Sequence, residues 1–356
     1  MYDVCKQNLI KVTYVCVFLS ARCIYIYQIG IRIGERKLRI ALTNLASEIV
    51  KFKNMPTEEW KGPESIIGKI IKTIEEIIEE SEIERNKIIG IGIGCTGLVE
   101  HKTGCVIFSP NLNGWENIPL KKIIEEKTSI DTYIENDVRV QAIAEKNYGL
   151  AKNINNFLTF STGIGIGTGV VLDNRLLVGH HGLFGEVGHL VIDIKSAHLC
   201  HCGNIGCLET FSNSVALIQN IKNDISKGKK ISLKLKENFQ LEDIYDLYKA
   251  GEKVIVDNIN NNAEYIGIGI SNAIKVFSPE LVIIQGKYIE FGQKYLDIVR
   301  KTVKIYTFPK VPFKYNIEFS ILGKNIGVIG ATSMVFEEKL LNNYDDFGHE
   351  FLLKKM

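Results

Sequence analysis

Three cysteines and one histidine near the middle of the chain have the spacing of a metal site. Cys200, Cys202 and Cys207 lie within eight residues, and His189 lies eleven positions before the first cysteine. Three thiolates and one imidazole form a closed tetrahedral ligand set, the kind that holds structural zinc. Glycines between the cysteines let the chain turn back so that one ion meets all three sulfurs. The pattern predicts a structural Zn²⁺ bound by His189, Cys200, Cys202 and Cys207.

Two alternative interpretations of this segment remain open. His201 could replace His189 as the fourth ligand, although it lies between two ligand cysteines, where its side chain would tend to point away. The cysteines could also be reduced thiols in a turn, with the histidine elsewhere. The alternatives differ in which side chains must meet in space, so the fold decides between them.

Polar side chains that suit a polyhydroxylated ligand follow several predicted strands. Asn111 comes shortly after one strand, and Asn136 and Asp137 join another strand to a helix. Glu186 and Glu209 lie on either side of the cysteines. Carboxylates and amides pair well with hydroxyls, which donate and accept at once. The first pair also has a structural interpretation, because both residue types cap helices, and Glu186 could serve only as a partner of the metal-binding histidine.

Hydrophobic periodicity indicates an α/β chain in which these residues follow strands. The predicted strands cover residues 25–34, 38–44, 48–53, 88–94, 106–108, 131–135, 157–161, 169–172, 281–284 and 317–322. The first three form a meander joined by tight turns, and residues 106–108 are the far side of a hairpin. The predicted helices cover residues 63–78, 137–148, 215–225, 263–276 and 327–341, and Gly267 and Gly269 are expected to let the fourth helix pack closely. With 356 residues, of which 46% are hydrophobic, the chain is long enough for two lobes.

The segments Gly185-Glu186-Val187-Gly188-His189 and Cys200-His201-Cys202-Gly203-Asn204-Ile205-Gly206-Cys207-Leu208-Glu209 together resemble the signature of the ROK family, named for repressors, open reading frames and kinases. Its members are bacterial sugar kinases and sugar-responsive transcription repressors. The resemblance covers about residues 24–342. It implies the actin-like, RNase-H-like ATPase fold, an α/β fold of two lobes with a sugar cleft between them.

The resemblance also predicts how the chain is divided. We expect an N-terminal extension at residues 1–23 and an N-terminal α/β lobe at residues 24–137. The closing helix, residues 327–342, is expected to pack back on that lobe. A C-terminal α/β lobe with the zinc loop is expected at residues 138–326, and a tail at residues 343–356.

The resemblance implies roles for the polar residues as well. In the family, the matched positions line the sugar site, and the zinc holds the histidine through one ring nitrogen while the other faces a hydroxyl. In the family's kinases, the aspartate matched by Asp137 is the general base that takes a proton from the attacking sugar hydroxyl. The implied sugar contacts are Asn111, Asn136, Asp137, Glu186, His189 and Glu209.

Three loops bind the nucleotide in the family's kinases, and the first is altered in this chain. Its pattern, Asp-x-Gly-Gly-Thr, is matched by Arg32-Ile33-Gly34-Glu35-Arg36. An arginine replaces the aspartate that would help hold the metal and phosphate. A glutamate adds bulk and negative charge where the backbone would approach phosphate. Two arginines could in principle grip a phosphate, so the changes do not all point one way.

The other two loops differ from each other. Thr162-Gly163-Ile164-Gly165-Ile166-Gly167-Thr168-Gly169 is intact, although such a turn also serves as scaffold. The third loop, expected to carry paired glycines, reads Gly286-Lys287-Tyr288, with a lysine and a tyrosine where adenosine would need room. If the chain were a kinase, its nucleotide contacts would be Gly34, Thr162, Gly163 and Gly165.

Two altered loops favour the regulator branch of the family, and the pattern around Asp137 is similar to xylose-repressor-like and N-acetylglucosamine-repressor-like members. The predicted function is that of a zinc-containing, sugar-binding protein of the sugar-sensing transcriptional-regulator type, without an evident DNA-binding domain. The alternative is an ATP-dependent hexose kinase, glucokinase-like, with Asp137 as general base and ATP and Mg²⁺ as further cofactors.

Charge and composition bound the partners. With 43 basic and 41 acidic residues, the net charge of +2 provides no electrostatic footprint for nucleic acid. The residues before the first predicted strand show no helix-turn-helix pattern, so we expect no sequence-specific DNA binding by this chain alone.

The apolar run at residues 12–19 is shorter than the about 20 residues that span a bilayer, so we expect no membrane span there. The scattered cysteines suit the reducing cytoplasm. A homodimer is expected from the apolar helix at residues 263–276 and from dimeric family members.

Overall fold

A computed structural model describes residues 26–180, 182–232, 235–236, 238–308, 310 and 314–341. They form two compact units, divided between Val140 and Gln141 and again between Lys324 and Asn325. The first unit contains the described residues up to Val140 together with those from Asn325 onwards. The second unit contains Gln141–Lys324. The predicted extension at residues 1–23 and the predicted tail at residues 343–356 lie outside the described residues.

The strands and helices are numbered in chain order. The strands are β1 (Tyr27–Ile33), β2 (Lys37–Asn44), β3 (Ile49–Pro56), β4 (Ile88–Cys95), β5 (Leu98–Glu100), β6 (Cys105–Phe108), β7 (Glu116–Ile118), β8 (Thr132–Asn136), β9 (Phe157–Thr162), β10 (Ile166–Leu172), β11 (Arg175–Leu176), β12 (Leu281–Gly286) and β13 (Asn316–Phe319). The helices are α1 (Gly62–Ser81), α2 (Leu120–Thr128), α3 (Asp137–Tyr148), α4 (Glu209–Ser212), α5 (Ser214–Ser226), α6 (Leu241–Lys249), α7 (Lys253–Phe277), α8 (Gln293–Tyr306) and α9 (Ile326–Phe336). Among the described residues, no helix combines the length and apolar character needed to cross a membrane.

The first unit is built on a five-stranded sheet with the order β3-β2-β1-β4-β8. β1, β2 and β3 form the predicted antiparallel meander, and β4 and β8 continue the sheet in parallel. Because side chains alternate along a strand, the isoleucines of β1 face α1, whose own isoleucines pack on them. A separate antiparallel sheet, β5-β6-β7, contains the predicted hairpin, and Trp115 beside it is 1% exposed, a packing residue.

Helix α9 covers the other face of the same sheet, and glycines in the strands let it approach. A Cβ added at Gly30 would lie 2.3 Å from the carbonyl oxygen of Val328, and one at Gly92 would lie 1.9 Å from that of Ala331. Real side chains cannot occupy such positions, so these glycines are required by the close contact of helix and sheet.

The second unit has a five-stranded sheet with the order β11-β10-β9-β12-β13. β10 begins at Ile166, earlier than the predicted residue 169, because Ile166 already pairs with Thr162 of β9. The glycine-rich turn is therefore only Gly163–Gly165, and the later glycines belong to the strand. In contrast, β13 ends at Phe319, before the predicted residue 322.

Helix α7 is longer than the predicted residues 263–276, and its apolar face lies inside the second unit. Gly267 packs against Thr302 of α8, and Gly269 packs against Leu208, as the glycine spacing predicted. Ile266 and Ile270 are completely buried. That burial removes this helix as a reason to expect a homodimer, and the homodimer stays a prediction.

A pair of glycine-to-alanine variants tests the packing of α9. Gly92→Ala should lower the free energy of unfolding by about 1–3 kcal/mol, because the new methyl group overpacks the contact with Ala331. Gly68→Ala in α1 is the control, since Gly68 is exposed and an added Cβ meets nothing within 4 Å. It should raise that free energy by about 0.5–1 kcal/mol, because alanine favours helix. Urea unfolding curves measure both values, and equal shifts of the same sign would contradict the contact.

Candidate functional site

His189 and the three cysteines meet in the second unit. One ligand atom from each lies within 4.8 Å of all the others. His189 Nδ1 lies 3.4 Å from Cys200 Sγ, and the sulfurs of Cys202 and Cys207 are 3.7 Å apart. Within the described residues His201 is not part of this group. The fold therefore groups the predicted ligand set and not the alternative with His201.

The loop that carries the cysteines is closed by backbone contacts. Val191 bridges to Cys207, and Leu199 bridges to Ile205, both antiparallel. Gly206 has a φ of +74°, and a Cβ there would lie 1.9 Å from the carbonyl oxygen of Asp193. Only glycine fits both that backbone conformation and that approach. The turns and bridges of the loop itself thus hold the three cysteines close to one another.

The donor set fits a metal ion such as zinc. Burial, followed by hydrogen bonds with the other two sulfurs, raises the pKa of Cys207 to about 12, and burial also raises the pKa of Cys200. Three thiolates this close repel one another unless a cation replaces their protons. A divalent ion would supply that charge, and three sulfurs with one imidazole complete a tetrahedral set.

The segment Gly185–His189 holds two predicted sugar contacts on one turn. Its glycines lie against β10, where a Cβ at Gly188 would meet the Ile166 carbonyl oxygen at 2.2 Å. Because Nδ1 of His189 faces the sulfurs, Nε2 is the nitrogen left for another partner. The Glu186 carboxylate lies 4.0 Å from that Nε2. A carboxylate and an imidazole N–H side by side can together contact a hydroxyl.

Glu209, at the start of α4, joins the metal loop to the glycine-rich turn. Its Oε2 accepts a hydrogen bond from the Ile166 backbone N–H at 2.8 Å. The turn is also held by Gly163, whose carbonyl oxygen accepts from the Ser214 N–H at 2.7 Å. One Glu209 oxygen is therefore committed to scaffold, and the other remains for a ligand.

Thr162 and the third loop pack against each other in the core of the second unit. The Thr162 hydroxyl donates to the Gln285 carbonyl oxygen at 2.7 Å, and Gly286 lies so close to Thr162 that a Cβ would be 2.1 Å from its carbonyl oxygen. Tyr288 is completely buried and donates to the Ser212 carbonyl oxygen at 2.7 Å. The ring of Tyr288 belongs to the hydrophobic core. Whether it takes the room that adenosine would need stays a prediction. The ammonium group of Lys287 pairs with Glu242 on α6.

In the first unit, Asn136 caps helix α3. Its Oδ1 accepts from the backbone N–H groups of Val138 and Arg139 at 2.9 and 3.3 Å. Its Nδ2 donates to the Gly97 carbonyl oxygen at 2.8 Å, and Gly97 packs tightly on Ser109, two residues before Asn111. Asn136 thus has the capping role that its residue type suggested, and one amide hydrogen remains for a ligand.

Asp137, the first residue of α3, pairs with Arg32 at the end of β1. Arg32 Nη2 donates to Asp137 Oδ2 at 3.0 Å, and the Asp137 side chain is 11% exposed. The sequence singled out both residues but did not predict their contact. The sequence did contain a hint of this contact. Arg32 stands where the kinase pattern has an aspartate, and a partly buried arginine needs a carboxylate partner.

Behind Asn136 lies a charged cluster that sequence reasoning missed. Glu135 is completely buried, and its two oxygens accept from Arg139 Nη1 at 3.0 Å and contact His101 Nδ1 at 3.1 Å. Burial opposes ionisation, but the hydrogen bond with His101 and the charge of Arg139 keep the pKa of Glu135 below its usual value. The same hydrogen bond raises the pKa of His101, whose Nε2 lies 3.7 Å from Glu338. This cluster fixes the end of β8, from which Asn136 and Asp137 project.

The six predicted sugar contacts therefore fall into two sets, each within one unit. The first set shares the strand end and loop of the first unit, and consists of Asn111, Asn136 and Asp137. The second set shares the metal loop and its neighbours, and consists of Glu186, His189 and Glu209. Whether these residues contact a sugar stays a prediction.

Comparison with known proteins defines the class. Residues 28–338 match the ROK family, so the chain belongs to that family, whose solved members have the actin-like ATPase fold. A xylose repressor from Caldicellulosiruptor bescii is 34% identical over 317 residues, covering 88% of this chain and 78% of that protein. A glucokinase from Halalkalibacterium halodurans is 26% identical over 317 residues, covering 88% and 96%. The crystal structure of a ROK family transcriptional regulator, a homolog of the E. coli MLC protein, has a TM-score of 0.80 at 27% identity and covers 88% of this chain and 78% of that one.

The His101 contacts predict a pH dependence of stability. Because the pKa of His101 is raised on folding, its contribution is fully present below the unfolded value of about 6.5 and is lost as pH rises through the folded value. The free energy of unfolding of the wild type, minus that of His101→Gln, should therefore fall as pH rises above about 6.5. Urea titrations at several pH values measure it. A difference that does not change with pH would contradict the contacts with Glu135 and Glu338.

Proposed function

We propose that this chain is a sugar-binding protein of the regulator type, with a structural zinc ion, and that it does not transfer phosphate. The observation that carries the proposal is the ion pair of Arg32 with Asp137. It places a cation at the position where the family's kinases have the aspartate of their first phosphate loop. It also engages the carboxylate that those kinases use as general base.

Phosphoryl transfer needs two things that this pair disfavours. Magnesium binds oxygen ligands, and a guanidinium carries only donors, so Arg32 cannot replace the aspartate as a partner of the metal ion. The base must accept a proton from the sugar hydroxyl, and one oxygen of Asp137 is already bound to Arg32. Glu35 and Arg36 add side chains where the kinase pattern has glycine and threonine.

The same pair suits recognition of a sugar. Arg32 holds the Asp137 carboxylate in one orientation, so the carboxylate can accept from a sugar hydroxyl with little loss of conformational freedom. Asn136 is fixed beside it by the helix cap and by Gly97. A pentose or hexose is the ligand class we propose, and xylose is the first to test because of the relative from Caldicellulosiruptor bescii.

Zinc is the metal we propose for the cysteine cluster, and its role is structural. Four protein ligands leave no open position for water or substrate. Bound through Nδ1, His189 would direct its Nε2 N–H towards a sugar hydroxyl next to Glu186. Zinc binding would thereby couple the fold of the metal loop to the geometry of the sugar site.

The second candidate is an ATP-dependent hexose kinase. It is favoured by the intact glycine-rich segment Thr162–Gly169 and by the glucokinase relative, which matches along 96% of its length. In that case Asp137 would be the base, and Gly34, Thr162, Gly163 and Gly165 would face the nucleotide. The Thr162 hydroxyl and the Gly163 carbonyl are both bonded within the unit, which suits scaffold equally well.

Metal analysis tests the zinc proposal. The purified protein should contain about one zinc per chain. Cys202→Ser should lose the metal and lower Tm by roughly 10 °C, because much of the binding free energy at such a site is folding free energy. Cys105→Ser is the matched control, a half-buried cysteine outside the cluster that should keep the zinc. A ratio well under one zinc ion per folded wild-type chain would contradict the proposal.

A direct assay separates the two functions. Xylose or a hexose should raise Tm, while Mg-ATP with the same sugar should produce no measurable sugar phosphate. Asp137→Asn should weaken sugar affinity about 10- to 100-fold, because a charge-assisted hydrogen bond is lost. Asp173→Asn, an exposed aspartate of the β10–β11 turn, is the control. Turnover near one per second that Asp137→Asn abolishes would replace the regulator by the kinase.

A further inference from the structure

β1 and β2 carry two arginines directly opposite each other. Arg32 and Arg39 are register partners in this antiparallel pair, so their side chains share one face of the sheet. It is the face that α9 covers: a Cβ at Gly327 would lie 2.3 Å from Arg32 Cδ. The Arg32 guanidinium turns towards the β1–β2 turn, where its Cζ lies 3.8 Å from the place of a Gly34 Cβ.

The positive charge of this pair is only partly balanced. Asp137 accepts from one Nη of Arg32, but the Arg32 Nε–H is buried and has no hydrogen-bond partner in the described structure. Arg39 is half-buried, and its side chain makes no ion pair or hydrogen bond with any described residue. Burial, and then the charge of Arg32, lower the pKa of Arg39, as expected for two cations held together. A partly buried cation without a counter-charge is costly, so the arrangement favours an anion.

We propose that Arg32 and Arg39 form a metal-free site for a phosphate monoester. Two planar guanidinium forks on one face can each present paired N–H donors to a tetrahedral oxyanion. The two guanidinium groups carry two positive charges, and the Asp137 carboxylate balances one of them. A bound phosphate monoester, which is an anion, would balance the other. Gly34 carries no side chain, and a Cβ there would lie 3.8 Å from Arg32 Nη1, so the glycine adds no bulk beside this edge of the guanidinium.

The chemistry of this site differs from that of a kinase phosphate loop. There an aspartate and backbone N–H groups hold a metal-bound triphosphate, whereas here guanidinium groups would bind the phosphate oxygens directly. Arg32 pairs with the predicted sugar contact Asp137, but the Arg39 side chain has no hydrogen bond or ion pair with any predicted sugar contact in the described residues, so a change at Arg39 tests the phosphate site by itself. The two ideas can therefore fail separately.

Calorimetry with simple phosphates tests the site. The probes are inorganic phosphate, glycerol 1-phosphate and ADP without magnesium, each in chloride buffer of the same ionic strength. Glycerol 1-phosphate should bind saturably. Arg39→Gln should raise its dissociation constant at least about tenfold, because two charge-assisted hydrogen bonds are lost. Arg175→Gln, which removes an exposed arginine on β11, is the matched control and should leave the constant unchanged.

Three results would overturn the proposal: equal affinity in the wild type and Arg39→Gln, no heat beyond that of chloride, or binding of ADP alone. The last result would assign the arginines to a nucleotide. Far-ultraviolet circular dichroism and Tm establish that Arg39→Gln is folded. If it is not, Arg39→Lys serves instead, since it keeps the charge and loses the fork, and it should weaken binding severalfold. Inorganic phosphate that matches the monoester's affinity would support the site and place recognition on the phosphate alone.

Discussion

The ion pair of Arg32 with Asp137 joins the end of β1 to the first residue of α3, and several features of the first unit hold its two partners in place. Gly327 must lack a side chain because the stem of Arg32 lies against it. Asn136 caps α3 and so sets where Asp137 projects. The buried Glu135, held by Arg139 and His101, fixes the strand end behind both. Under the proposed function, sugar binding in this unit would depend on how firmly the Asp137 carboxylate is oriented.

In the second unit, polar side chains are also held in fixed orientations, but by the metal loop and not by an ion pair. Its metal loop is folded by local turns, and a zinc ion would hold His189 in one orientation through Nδ1. Glu209 then ties that loop to the turn between β9 and β10 through the Ile166 N–H. A single ion would in this way stabilise both the loop and the polar residues next to it. That would explain why Glu186, His189 and Glu209, three of the predicted sugar contacts, lie close to the cysteines in sequence.

The sequence predicted what depends on local pattern. The ligand spacing of the cysteines led to the correct cluster, and the alternation of apolar residues led to the meander and to most of the helices. It did not predict contacts between residues far apart in the chain: Arg32 and Asp137 are 105 residues apart, and the buried position of Tyr288 depends on α4 and α8. The start of β10 was also missed, because glycines that pair within a strand look the same as glycines in a turn.

The central claim is that Arg32 acts on sugar binding through Asp137 and not through a nucleotide. A double-mutant cycle measures this directly, with sugar affinity determined by calorimetry for Arg32→Gln, Asp137→Asn and the double variant. The account predicts that Arg32→Gln weakens sugar binding severalfold and that the double variant binds no more weakly than Asp137→Asn alone. Additive losses, or an Arg32→Gln variant that binds sugar as tightly as the wild type, would contradict it.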